Sequence, residues 1–192
     1  MSLRRRAFMG VATAVLVPVA AGASAGRPVD IGQPVPRFEA VSVQGEALSI
    51  ETAVRDHKAV IVLFTSTVCP YANYFAAHVR ELAETYGPRG VLVVGVNSNN
   101  WESRQDVVDH ALERGFTFPM LKDEGHRIAD RFGASRTPEV FLVDSTGRLR
   151  YRGWVKSKQE SPDLQRALDA VLDGRPVRRP VTKAFGCAVD RF

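Results

Sequence analysis

Apolar and polar residues change period several times along this chain, and each change marks an element. Val60-Ile61-Val62-Leu63-Phe64 is an uninterrupted apolar run, with the length and β-branched content of a strand buried on both faces. After Thr65-Ser66-Thr67-Val68-Cys69-Pro70 the spacing becomes helical. Ala72, Phe75, Ala76, Val79, Leu82, Ala83 and Tyr86 recur at i, i+3, i+4 and i+7, and Gly87-Pro88 ends the pattern. Gly90 to Asn97 is a second continuous apolar strand. Asn99 or Asn100 is placed to cap a following helix, with Glu102 as the acidic partner of a capping box. Val107, Val108, Ala111 and Leu112 are the predicted inner face of that helix, and Gly115 its end. Phe118 to Leu121 predicts a short edge segment. Asp123 opens a helix with Ile128, Ala129 and Phe132 inward and Gly133 as its stop. Thr137-Pro138 leads into a strand, Glu139 to Val143, which turns at Asp144-Ser145-Thr146-Gly147 and returns antiparallel from Arg148 to Gly153. Ser161-Pro162-Asp163 starts a last helix, with Leu164, Leu168, Val171 and Leu172 inward and Gly174 at its end. Upstream, Pro36 to Val43 alternates as a half-exposed strand. Gln44-Gly45-Glu46 turns it, Ala47 to Ile50 is a second strand, and Thr52 to Asp56 is a short helical turn. With right-handed crossovers this order predicts an α/β fold: a mixed central sheet, helices on both faces and an N-terminal β-hairpin.

The two ends follow other rules. Arg4-Arg5-Arg6 precedes an uncharged, Ala/Val-rich stretch that ends Ala23-Ser24-Ala25, so residues 1–25 read as an export signal. Arg5-Arg6-Ala7-Phe8-Met9 has the twin-arginine pattern. The mature protein is therefore expected to be periplasmic or secreted from a bacterium. Residues 26–33 are a polar leader with the look of a mobile one, 34–174 one domain, and 175–192 an aperiodic tail with Pro176, Pro180 and Cys187. Removing the signal takes away three arginines and no acidic residue, so the formal charge falls from +5 to +2. Nothing left demands an anionic polymer, and no phosphate-cradling glycine loop or basic–aromatic surface is present, so no nucleic-acid partner is expected. The mature form has no expected membrane contact. Arg148, Arg150 and Arg152 share one strand face and read as a solvated edge; Trp101 and Trp154 read as core or surface anchors.

Candidate chemistry centres on Cys69, at the handover from a central strand to a helix. Pro70 suits the first helical position because its missing N–H would find no partner there. A thiol at that point faces free backbone N–H groups and the positive end of the helix dipole, and both favour the thiolate. Such a thiolate can attack a disulfide sulfur, giving a mixed disulfide, or a peroxide oxygen, giving a sulfenic acid. Cys187 is the other cysteine, 118 positions away. A static bond, a bond that cycles, and pairing between subunits are all open to these two residues. His57, His78, His110 and His126 are scattered, with His78 and His110 on solvated helix faces. A Cys69/Cys187/His site for Cu(I) is a rival reading. No organic cofactor and no resident metal is expected, and the oligomeric state is left open.

The strand ending in Thr-Val-Cys-Pro before a helix, with Thr137-Pro138 leading into a hairpin, resembles the thioredoxin fold. The N-terminal hairpin resembles the alkyl hydroperoxide reductase/thiol-specific antioxidant branch of it. Cys69-Pro70-Tyr71, Val96-Asn97-Ser98-Asn99, Tyr151-Arg152-Gly153 and Gly186-Cys187 are similar to a peroxiredoxin-like group within that branch. The resemblance implies that Pro138 is cis and that its loop, with Thr137, faces Cys69. Arg136 would then lie close enough to stabilise the Cys69 thiolate, and Ser66 would take the hydrogen-bonding role that threonine has in peroxiredoxins. Cys187 would be the resolving thiol. The partner would be a thiol/disulfide protein or a hydroperoxide. Three departures stand out. The second cysteine of Cys-x-x-Cys is replaced by Ala72, the proline and threonine of the peroxidatic motif are Val62 and Ser66, and the position four after Cys69, a cysteine in copper carriers of this fold, is Asn73. The pattern favours a thiol–disulfide oxidoreductase; a hydroperoxide peroxidase and a redox-inert or copper-binding module are the alternatives.

Overall fold

The computed structural model describes residues 29–156 and 161–191, so the expected export signal lies outside the described residues. In chain order the elements are β1 (Glu39–Val41), β2 (Ala47–Ser49), α1 (Ile50–Asp56), β3 (Ala59–Thr65), α2 (Pro70–Tyr86), β4 (Val91–Asn97), α3 (Arg104–Arg114), β5 (Met120–Lys122), α4 (Arg127–Phe132), β6 (Arg136–Thr137), β7 (Glu139–Asp144), β8 (Leu149–Gly153), α5 (Asp163–Leu172) and β9 (Cys187–Ala188). Five strands form the central sheet in the order β5-β4-β3-β7-β8. β3 pairs parallel with β4 and antiparallel with β7. β1 and β2 form the N-terminal hairpin, and β6 and β9 a separate two-stranded pair.

Every residue of β3 is buried, which explains why its sequence shows no alternation. Its side chains still alternate. Ile61 and Leu63 pack with Phe75, Val79 and Leu82 of α2 and Leu164 and Leu168 of α5. Val60, Val62 and Phe64 pack on the opposite face with Phe38, Ile50 of α1, and Ile128 and Phe132 of α4. Phe64, Phe132 and Phe141 meet edge-on or tilted, with ring centroids 5.3–5.8 Å apart. One turn-and-strand rule also places the chemistry. Parallel neighbours β3 and β4 end in register, Thr65 opposite Asn97, so the loops that follow them meet at one end of the sheet.

Several boundaries differ from the sequence expectation. Ile50 belongs to α1, because the Ser49 hydroxyl accepts the Thr52 N–H at 3.1 Å and caps the helix there. α3 is capped by Ser103 and Asp106, which form the full reciprocal box, and not by Asn99 or Asn100 with Glu102. Its buried face is Val107, His110 and Ala111; Leu112 is largely exposed. His110, expected in solvent, is buried with Nε2 2.7 Å from Asn73 Oδ1. Residues 29–33 lie along β8: Gly32 N–H donates to the Leu149 carbonyl at 2.7 Å, and Val29 is buried. The tail is also docked. Its Pro180–Thr182 segment bonds to Arg152, and β9 lies against β6.

Candidate active site

Cys69 is the N-cap of α2, with Pro70 first in the helix, and is 1% exposed. The turn before it is held by one hydroxyl. Ser66 Oγ accepts the N–H groups of Cys69 (3.1 Å) and Val68 (3.3 Å) and donates to Glu102 Oε1 (2.6 Å). Glu102 also accepts the Thr67 N–H at 2.5 Å and Asn97 Nδ2 at 2.7 Å through Oε2, while Asn99 Nδ2 donates to Oε1. Burial of Glu102 pushes its carboxyl up, but the donors, Ser66 and Thr67 first, outweigh this and hold it below the usual carboxylate range. Lys122 Nζ bonds Asn97 Oδ1 (3.2 Å) and the Asn99 backbone carbonyl, which fixes the Asn97 amide and the Asn99 main chain.

The Thr137–Pro138 peptide is cis, and both residues are buried. The Cys69 thiol donates to the Thr137 carbonyl at 3.1 Å. β9 then lays Cys187 opposite Thr137 and Ala188 opposite Arg136. Gly186 makes this approach possible. Its φ is +141°, and a Cβ there would stand 2.1 Å from the Thr137 carbonyl oxygen. Beyond the strand, Val189 is buried and its N–H donates to Ser135 at 3.1 Å; the Asp190 N–H donates to Asn99 Oδ1 at 2.8 Å.

Both thiols are free, and each bears on the other's acidity. Burial pushes the Cys69 thiol up. The Cys187 thiol, the Ala72 and Cys187 N–H groups and the Thr137 hydroxyl, all able to donate to a thiolate, reverse this and leave it below its ordinary value. Cys187 is pushed up to about 11 by burial, by the adjacent Cys69 and by the charge of Glu102, with Arg136 pulling the other way. The arrangement therefore pairs a buried sulfur whose surroundings favour its ionised form with a neighbour whose surroundings favour the thiol.

The family model described as AhpC/TSA matches residues 31–152. The chain belongs to the AhpC/TSA family. It is similar to the thiol-disulfide oxidoreductase ResA of Halalkalibacterium halodurans, 29% identical over 119 residues covering 62% of this chain and 65% of that one. It is also similar to the thiol:disulfide interchange protein DsbE of Yersinia pestis, 29% identical over 123 residues, 64% of this chain and 63% of that one. The chain thus spans a little under two thirds of the length of these two curated relatives. A solved structure of a hypothetical protein from Sinorhizobium meliloti superimposes with a TM-score of 0.79 at 28% identity, covering 86% of this chain and 96% of that one. The fold is thioredoxin-like, as expected, and the N-terminal hairpin of the AhpC/TSA branch is present.

The structure brings Cys69, Cys187, Thr137, Pro138 and Arg136 into one site. Arg136 is exposed and reaches the Gly186 carbonyl at 3.3 Å, so its charge bears on Cys187. The proton of Ser66 goes to Glu102, so Ser66 orders the turn around the sulfur. Among the described residues no group of three or more His, Cys, Asp and Glu side chains is arranged to hold a metal. Glu102, Asn97, Asn99 and Lys122 form the part of the site that motif reading did not assign. A signal for them exists: a polar run directly after a buried parallel strand adjacent to the cysteine strand. Beside the site a groove of about 820 Å³ runs along α2 from Pro70, lined by Tyr71, Tyr74, Phe75, His78 and Phe185 among others.

Proposed function

We infer that this AhpC/TSA chain is a thiol–disulfide oxidoreductase that works outside the cytoplasm, with Cys69 as nucleophile and Cys187 as resolving cysteine. One observation carries the reading: β9 sets Cys187 opposite Thr137, the cis-proline loop residue whose carbonyl takes the Cys69 thiol, and both cysteines are free. The resemblance to proteins named as thiol–disulfide oxidoreductases and interchange proteins supports it.

The steps follow from ordinary exchange chemistry. The Cys69 thiolate attacks one sulfur of a partner disulfide. That S–S bond breaks, a Cys69–partner disulfide forms, and the departing partner thiolate takes up a proton. Cys187 then loses its proton and attacks Cys69 Sγ, releasing the second partner thiol and closing the Cys69–Cys187 disulfide. The partner gains two electrons and two protons and the protein loses them; a donor dithiol restores the reduced state. The Ala72 N–H and the Thr137 hydroxyl stabilise the attacking thiolate, and with the tail docked the Cys187 N–H adds to them. Cys69 is sealed beneath β9, so the tail lifts before a partner enters. The exposed Val68, Tyr74 and Trp101 and the groove along α2 offer that partner an apolar seat. Export rests on the arginine pair and apolar run of residues 1–25.

The reading is tested by dithiothreitol-driven reduction of insulin. Wild type is expected to accelerate it, Cys69→Ser to abolish the acceleration, and Cys187→Ser to accumulate a mixed disulfide at Cys69 visible by mass. A Cys69→Ser protein as fast as wild type would remove the reading. Hydrogen peroxide in place of insulin separates peroxidase chemistry from disulfide exchange.

A further inference from the structure

We propose that Asn99 is a positioning residue that ties the Cys187 strand to the Cys69 turn through Glu102. The inference rests on the two-cysteine reading above and assigns a role to a residue outside the cysteines and the proline loop.

The geometry is a bridge made by one side chain. Asn99 is 4% exposed, and both ends of its amide are used across the gap between the two segments. Its Nδ2 donates to Glu102 Oε1, the same oxygen that takes the Ser66 proton. Its Oδ1 accepts the Asp190 N–H at 2.8 Å, three residues after Cys187. A side-chain amide suits this bridge, which needs a donor toward an ionised carboxylate and an acceptor toward a backbone N–H. Other anchors of the tail end do not reach the Cys69 turn: Arg191 Nε donates to Asp130 at 3.0 Å and its Nη2 to the Ala134 carbonyl at 2.8 Å. Val189 N–H donates to Ser135, and His126 Nε2 lies 2.9 Å from the Asp190 carbonyl. The Cys69 turn keeps its own links to Glu102 through Ser66 and Thr67. Loss of the Asn99 amide therefore loosens the tail and leaves the turn formed. Docking sets the effective concentration of Cys187 at Cys69 and also the seal over Cys69, so both change together.

Two readouts separate this role from a general loss of structure. The first is the equilibrium in which the protein dithiol and oxidised glutathione give the Cys69–Cys187 disulfide and two reduced glutathiones. Losing a buried hydrogen bond in Asn99→Ala is expected to lower its constant about tenfold. The second is alkylation of Cys69 by iodoacetamide across pH, located by mass in a Cys187→Ser background. Its midpoint reports the turn and its plateau reports access. Asn99→Ala is expected to raise the plateau several-fold and to move the midpoint by less than Ser66→Ala, which removes the turn's own link and moves the midpoint upward. The proposal is overturned if Asn99→Ala matches the parent protein in both constant and plateau, or if it moves the midpoint as far as Ser66→Ala does. Should the wild type form no Cys69–Cys187 disulfide at any glutathione ratio, the two-cysteine reading falls, and the alkylation plateau still decides the role of Asn99.

Discussion

Cys69 and Cys187 differ in what surrounds an ionised sulfur. Around Cys69 the neighbours are donors: a thiol, two backbone N–H groups and a threonine hydroxyl. Around Cys187 they include Cys69 itself and the Glu102 carboxylate, and burial adds to the effect. A thiol is an acid, so the lowered Cys69 value means that folding favours its charged form. That contribution is complete above the unfolded-state thiol value and fades as pH falls through the folded-state value. Cys187 runs the other way: it opposes folding increasingly as pH rises from the ordinary thiol value to about 11, and fully above that. In alkylation across pH with mass mapping, Cys69 is therefore expected to label first in reduced wild type and Cys187 only near strong base. Cys187→Ala removes a donor and should move the Cys69 midpoint up. Cys69→Ala removes the adjacent sulfur and should move the Cys187 midpoint down. Equal midpoints for the two thiols in wild type would refute the account.

At the scale of elements, the site depends on a two-residue strand held by backbone contacts. Gly186 is its critical position. Gly186→Ala puts a methyl group where the Thr137 oxygen stands and asks alanine for a φ of +141°. Such backbone strain costs about 1–3 kcal/mol, enough to undock β9 while the central sheet is untouched. Hydrogen exchange at the Val189 amide is expected to accelerate by one order of magnitude or more on that basis, and amides of β3 to stay protected. Unchanged exchange at Val189 would show that the tail is held elsewhere. The same element shows where sequence reading stops. The run Val60–Phe64, the helical spacing from Ala72 to Tyr86 and Pro70 at the helix start made the cysteine position legible, because period and capping are local. β9 was not legible: Gly186-Cys187-Ala188 has no period, and its partners are main-chain atoms fifty residues upstream. Glu102 was misread for a related reason. Three residues after Asn99 it fits a local capping box, but four donors on two stretches of chain, Ser66–Thr67 and Asn97–Asn99, claim its carboxylate, and Ser103 caps the helix instead.

At the scale of the whole molecule, that carboxylate joins four segments: the turn after β3, the loop after β4, and through Asn99 and Lys122 the tail and β5. It is 1% exposed, and an ionised carboxylate, which only accepts, is the one group that suits four converging donors. Glutamine keeps the shape but turns an NH₂ toward donors, so Glu102→Gln is expected to cost about 1–3 kcal/mol in urea unfolding at neutral pH. The pH dependence adds a sign. The folded-state value of Glu102 is depressed, so its ionised form supports the fold above the ordinary carboxylate value, and that support is lost as pH falls through the depressed one. Asp106, also depressed by its partners in the α3 capping box, is present in both proteins and cancels from the comparison. The gap between wild type and Glu102→Gln should therefore be widest at neutral pH and close as pH falls below the ordinary carboxylate range, through the depressed value at which the wild-type carboxyl takes up its proton. Two stability curves that run parallel through this range would mean that Glu102 is protonated in the fold, and the turn that presents Cys69 would then owe its shape to some other group.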